Sequence, residues 1–268
     1  MGTLLNGLRS VLSVVCIGAL FLLGSLRLRL FVLPRYWLQP EQRFPLVSAY
    51  MKWMCRWIVR LLALGGARLR RFGTLPTHCP VVIVANHQGL LDIVQITLMA
   101  DPLVPAFVTR KRYARFVPLV SASVRMLGCP LVDPRRDAKG AVEAVREGVR
   151  TLPNGILIFP EGHRSRTGEI LPFRRSGLEA ALMERRLPVY MAVGDGSWKA
   201  GTFVDLLFGV HRIDAYTEAL GPFEPPADPA KLPGFIERLR EHMVERLRDI
   251  RTAKAEGRPL EAAPLPAR

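Results

Sequence analysis

Val81-Val82-Ile83-Val84-Ala85-Asn86-His87-Gln88-Gly89-Leu90-Leu91-Asp92 is the stretch whose reading decides the fold. Four of its first five residues are β-branched and all five are apolar. A run this short, apolar on both faces, predicts a strand buried in a sheet with cover on both sides. Asn86 to Gly89 is polar and ends in glycine, so the chain turns there. Leu91 to Met99 then carries apolar residues at helical spacing. Strand, turn and helix in that order form the repeating unit of an α/β protein.

The same alternation continues outward. Ala106-Phe107-Val108 reads as a strand, Val117 to Leu127 as a helix and Pro130-Leu131-Val132 as a short strand. Ala138 to Leu152 has a clear amphipathic period. Asn154-Gly155 turns into Ile156-Leu157-Ile158-Phe159, another strand. Ser176 to Arg186 is helical and Val189 to Val193 is a strand. The expected fold class is therefore α/β, a central mostly parallel or mixed sheet flanked by helices, with an N-terminal membrane-associated helical segment. Pro222 to Pro233 reads as a proline-rich connector, and Gly234 to Ile250 as a charged helix. The expected division is 1–71 (membrane-anchoring helices), 72–252 (α/β domain) and 253–268 (a flexible tail).

Charge and hydropathy single out the first segment. The chain has 268 residues, 49% of them hydrophobic, and a formal charge of +15. Residues 1–71 hold eleven of the Lys and Arg residues and a single acid, Glu41. Ser10 to Leu26 is uncharged for 17 residues. As a helix this run is about 25 Å long, a little short of a ~30 Å hydrocarbon core. A tight span, a half-embedded helix and a signal peptide share this pattern, although Leu23-Gly24-Ser25-Leu26-Arg27 makes a poor cleavage site. Arg27, Arg29 and Arg35 follow the run and only Arg9 precedes it, which predicts a cytoplasmic C-terminal side. Leu46 to Leu64 reads as a second helix after breaks at Pro34 and Pro40. On it Lys52, Arg56 and Arg60 recur every four residues and form one stripe beside Trp53 and Trp57. Arg68, Arg70 and Arg71 extend that charge. The predicted partner is an anionic membrane surface. Zinc-finger spacing and aromatic RNA-recognition signatures are lacking, so no nucleic acid partner is expected. Cys16, Cys55, Cys79 and Cys129 are scattered and form neither a disulfide framework nor a metal site.

Two motifs carry chemistry. In the first, His87 follows the strand directly and Asp92 lies five residues on. Neutral imidazole suits general-base work near neutral pH, and a carboxylate on its other nitrogen fixes the tautomer. The second is Phe159-Pro160-Glu161-Gly162-His163-Arg164-Ser165, again after a strand. It offers an acid, a turn and an arginine fork that suits phosphate oxygens. Together they suggest base-assisted transfer onto a hydroxyl of a phosphate-bearing substrate.

With these residues in order, the chain resembles the glycerolipid acyltransferases, the group that contains 1-acylglycerol-3-phosphate acyltransferases. Its first block matches Asn86, His87 and Asp92. Its third block matches Phe159 to Ser165 with His163 in place of threonine. The second block aligns at Gly128 and Asp133, with the arginine displaced behind Pro134 to Arg135. The fourth is half matched by Pro188-Val189-Tyr190-Met191. The resemblance implies His87 as general base with Asp92 as its partner. Glu161, Gly162, Arg164 and Arg135 would hold the glycerol phosphate, and Asn86 would support the turn. It implies an acyl-CoA or acyl-acyl carrier protein co-substrate, a lysophospholipid acceptor, no bound cofactor and no metal. His163 either contacts the acceptor or packs, and Asp195-Gly196-Ser197-Trp198-Lys199 reads as a turn near the acceptor site. The arginine-, alanine- and proline-rich composition fits a bacterial source, hence a cytoplasmic membrane with the catalytic domain facing the cytoplasm. The expected reaction yields phosphatidate. Another lysolipid, a lyso-ornithine lipid or glycerol 3-phosphate are alternative acceptors. Thioesterase activity and a non-enzymatic membrane module are the rivals from other classes.

Overall fold

The computed structural model describes residues 2–115, 118–200 and 203–260. The apolar run forms α1 (Gly2–Arg27), and a π-turn over Leu28–Val32 carries it into α2 (Leu33–Leu38). The break expected at Pro34 does not occur. That proline lies in the first turn of α2, a position that tolerates its missing N–H and fixed φ. Pro40 does interrupt the helix, opening a tight turn before α3 (Arg43–Leu64). The stretch Leu4–Leu38 is one helix long and apolar enough to cross a membrane by length and composition. The Ser13 hydroxyl donates to the Leu61 carbonyl at 2.7 Å, and that of Tyr50 to the Gly24 carbonyl at 3.0 Å. These contacts set α1 and α3 antiparallel.

The α/β part follows as β1 (Arg68–Phe72), β2 (Leu75–Pro76), β3 (Val82–Ala85), α4 (Leu90–Met99), β4 (Ala100–Asp101), β5 (Ala106–Phe107) and β6 (Thr109–Arg110). Next come α5 (Pro118–Met126), β7 (Leu131–Val132), α6 (Ala138–Thr151), β8 (Ile156–Ile158), α7 (Arg175–Glu184) and β9 (Val189–Asp195). The series closes with α8 (Phe203–Gly209), β10 (Asp214–Phe223) and α9 (Leu232–Ala255). Six strands form the main sheet in the order β1-β10-β9-β3-β8-β5. Neighbours are parallel except β9 and β10, which run antiparallel. The mixed sheet expected from the sequence is therefore present. Residues 261–268, most of the expected tail, and Val117 lie outside the described residues; α9 continues to Ala255, with Ala253 buried.

Side chains alternate across the sheet as the pleat requires. Val82 and Val84 pack with Val145, Leu178 and Ile236 of α6, α7 and α9. Ile83 and Ala85 pack with Met51, Ile96 and Val124 of α3, α4 and α5. The N-terminal helices thus cover one sheet face and are part of the core. Gly155 sits at φ +88°, and a Cβ there would fall 2.1 Å from the Val81 carbonyl, so the turn into β8 requires glycine.

The basic residues divide differently from the expectation. Arg68, Arg70 and Arg71 belong to the edge strand β1, and Arg70 pairs with Asp214 at 2.8 Å. Arg71 donates to Gln95 at 2.9 Å. Charge is tolerated there because an edge strand faces water on one side. Lys52 turns into the domain and donates to the Pro102 carbonyl at 2.8 Å, which leaves Arg56 and Arg60 exposed. Ile83 is fully buried in the central strand. Ile83→Ala should cost about 2–5 kcal/mol, read as a lower urea midpoint with an unchanged slope.

Candidate active site

Because β3, β5 and β8 are parallel, the loops that follow them emerge at one sheet edge. The two motifs meet there. The Asn86 side chain donates to the Gly194 carbonyl at 2.9 Å and accepts from the Gly194 N–H at 2.8 Å. This two-point strap uses its amide and fixes the β3 loop to β9, which is the turn-supporting role.

Asp92 sits in the first turn of α4, where the positive helix end favours an anion. One carboxylate oxygen, Oδ2, accepts from the Gln88 N–H at 2.6 Å, the Gly89 N–H at 2.8 Å and lies 2.9 Å from His87 Nδ1. With the acid on Nδ1, that nitrogen carries the proton in the neutral ring and Nε2 keeps its lone pair. The ring stacks on Phe159 at 4.2 Å and 26°, so its plane is held on a second side. It stays 18% exposed, enough to meet a ligand. Gly89 adopts an extended conformation, and a Cβ there would lie 2.9 Å from the Ser197 carbonyl. The loop expected as a turn is a tight turn, Ser197–Ala200, and it seats against this glycine.

Glu161 differs from its expected role. It is 1% exposed, and both oxygens are occupied: Oε1 accepts the His87 N–H at 2.7 Å and Oε2 the Leu171 N–H at 2.9 Å. Buried and engaged by backbone on both oxygens, the carboxylate faces the protein and not a glycerol phosphate. Burial pushes its carboxyl up to about 7, opposed by the two N–H bonds and by His87. The Ser165 N–H completes the join by donating to the His87 carbonyl at 2.7 Å.

Gly162 turns at φ +74°, and a Cβ there would sit 2.9 Å from Cδ of Arg174. Its carbonyl accepts a long 3.5 Å bond from Arg110. Arg164, two residues on, is exposed and makes no ion pair among the described residues. Arg135 is likewise exposed, in the turn after β7. The β6–β7 pairing sets Val132 beside Arg110, so this turn lies next to the same loop. His163 is exposed with only a 3.4 Å contact to its neighbour's carbonyl, so the packing alternative is not met.

Three contributors escaped the sequence reading. Arg110 and Arg174 reach Gly162 only through the fold. Gln88 is 2% exposed and donates to the Gly168 carbonyl at 2.8 Å, which also accepts from Arg251 of α9 at 2.9 Å. Its position inside the first motif was the available signal. Among the described residues no three His, Cys, Asp or Glu side chains cluster to hold a metal.

Comparison with known proteins reaches the same place from another direction. Residues 68–192 match the acyltransferase family. The match runs from β1 into β9 and contains both motif loops. The 1-acyl-sn-glycerol-3-phosphate acyltransferase of Saccharomyces cerevisiae is 28% identical over 177 residues, 64% of this chain and 56% of the relative. The human 1-acyl-sn-glycerol-3-phosphate acyltransferase alpha is 24% identical over 185 residues, 66% of this chain and 62% of the relative. The chain thus spans about six-tenths of the length of these curated relatives. The crystal structure of the 1-acyl-sn-glycerophosphate (LPA) acyltransferase PlsC from Thermotoga maritima superposes with a TM-score of 0.65 at 20% identity. That likeness covers 92% of this chain and 99% of the other, and it shows a shared fold.

The contacts of Glu161 define a test. Glu161→Gln places an amide against one of two backbone N–H groups, so kcat should fall while KM for the acceptor holds. Because the folded carboxyl is raised above its ordinary value, its contribution to stability is present at low pH and lost as pH rises through about 7. Thermal melts of wild type and Glu161→Gln across that range should show the wild type losing ground as pH rises.

Proposed function

We propose that this protein is a membrane-associated O-acyltransferase that moves a fatty acyl group from an acyl thioester to the free hydroxyl of 1-acylglycerol 3-phosphate, giving phosphatidate. The observation that carries this reading is the meeting of His87, with Asp92 on Nδ1, and the arginines around Gly162 at one sheet edge. The acceptor hydroxyl gives its proton to His87 Nε2 as its oxygen attacks the thioester carbonyl. The new C–O bond forms and the C–S bond breaks. The leaving thiolate takes the proton back from the imidazolium held by Asp92. The thioester carries the activation, so positioning and one base suffice. Acyl-CoA and acyl-acyl carrier protein both supply this chemistry. Arg164, Arg174 and Arg110 hold the phosphate, with Arg135 at the rim, and Glu161 acts by positioning His87.

The lipid nature of the acceptor agrees with the N-terminal helices. Ser10 lies 3.2 Å from His211 Nδ1 and Tyr50 holds Gly24, so α1 is fastened to the domain near both ends. Leu4, Leu8, Leu12, Leu22 and Leu26 remain exposed along it. A helix held lengthwise on the domain lies in the interface and buries its leucines in one leaflet. Arg56 and Arg60 then meet headgroups, and the active site opens where a single-chain acceptor resides.

His87→Ala should cut kcat by about 10²–10⁴-fold with folding and vesicle binding intact. Wild-type turnover by that variant would remove His87 from the chemistry. A panel of acceptors with one acyl thioester separates lysophosphatidate from other lysolipids and glycerol 3-phosphate. Fatty acid released without acceptor would instead mark a thioesterase. Arg164→Ala and Arg174→Ala should each raise acceptor KM about tenfold, the loss of one charge-assisted hydrogen bond, and leave donor KM unchanged.

A further inference from the structure

The end of α1, the π-turn, α2 and α3 border an open groove of about 470 Å³ that the proposed reaction does not use. Leu23, Leu26, Leu30 and Phe31 line one side and Trp53 the other, with Arg27 and Arg35 beside them. We propose that this groove binds one anionic phospholipid of the bilayer, its phosphate between Arg27 and Arg35 and an acyl chain along the leucines.

The π-turn is what brings the two arginines together. In an unbroken α-helix, residues eight apart point about 80° away from each other. One extra residue absorbed in the π-turn brings that angle to about 20°, with the two side chains stacked roughly 10 Å apart along the axis. The arginines therefore face one groove. The Arg27 guanidinium lies over the Trp53 ring at 4.5 Å, a contact that uses its face and leaves its N–H edge free. Neither Arg27 nor Arg35 has a carboxylate partner among the described residues, and Glu41 is the sole acid in the first 71 residues. Two cations without counter-ions beside exposed leucines match a lipid that carries a phosphate and a chain. The groove opens at the end of the uncharged run, beside the arginines that follow it, so on a helix lying in the interface a headgroup and an acyl chain are both within its reach. A net negative headgroup is favoured because a zwitterionic lipid brings its own ammonium to the arginines.

The inference rests on the interfacial placement of α1, so its test reads lipid retention and vesicle binding separately. The full chain, purified in mild detergent, is mixed with phosphatidylglycerol, phosphatidylcholine or lysophosphatidate and examined by native mass spectrometry. Wild type should retain one phosphatidylglycerol per chain and little phosphatidylcholine. Arg27→Gln/Arg35→Gln should lose that lipid about tenfold, whereas Arg56→Gln/Arg60→Gln should keep it. Leu26→Asn, which retains both arginines, should also lose it. Equal loss in both arginine pairs would reduce the effect to general charge and overturn the groove. Retention by Arg27→Gln/Arg35→Gln, equal retention of phosphatidylcholine, or retention of lysophosphatidate alone would overturn it as well. Wild type that fails to float with anionic vesicles would instead refute the interfacial placement.

Discussion

The carboxylate of Glu161 is the constraint on which the site depends. It accepts an N–H from His87, 74 residues earlier in the chain, and another from Leu171, ten residues later. Hydrogen bonds to a charged group are worth about 1.5–3 kcal/mol each, so the two together hold both loops to one side chain. One side chain therefore settles the height of His87 above the sheet and the path of the segment after the third block. The Ser165 N–H on the His87 carbonyl adds a second tie between the same loops.

Around that join the polar groups are arranged in series. Asp92 gathers two backbone donors and the imidazole on one oxygen, so the ring has a single orientation before any substrate arrives. Asn86 and Gln88 use their amides to hold the loop to Gly194 and Gly168. Side chains at three successive positions of one short loop thus work inward or outward according to what they touch. Of the three, His87 alone keeps a side-chain nitrogen without a hydrogen bond among the described residues, and the arginines near Gly162 stay on the outside.

The N-terminal helices are bound into this arrangement through the core. They cover the sheet face opposite α6, α7 and α9, so the helices that leave the leucines of α1 exposed also supply the surface that supports Ile83 and Ala85.

The strand runs at Val81 and Ile156, the helices between them, and the pairing of His87 with Asp92 were legible in the sequence because each rests on local periodicity or short spacing. β1 and β10 were not. Arg68-Leu69-Arg70-Arg71 reads as surface charge until Asp214 lies beside it, and Glu218 breaks the alternation of β10 until Arg246 meets it at 2.7 Å in the core. Glu161 looked like a substrate contact because sequence cannot count the N–H groups that will surround a carboxylate. Arg110 and Arg174 were hidden for the same reason. Local order and short-range pairs such as His87 with Asp92 are properties of neighbours in the chain. Which polar groups are spent on the protein, and which remain for a substrate, depends on neighbours in space.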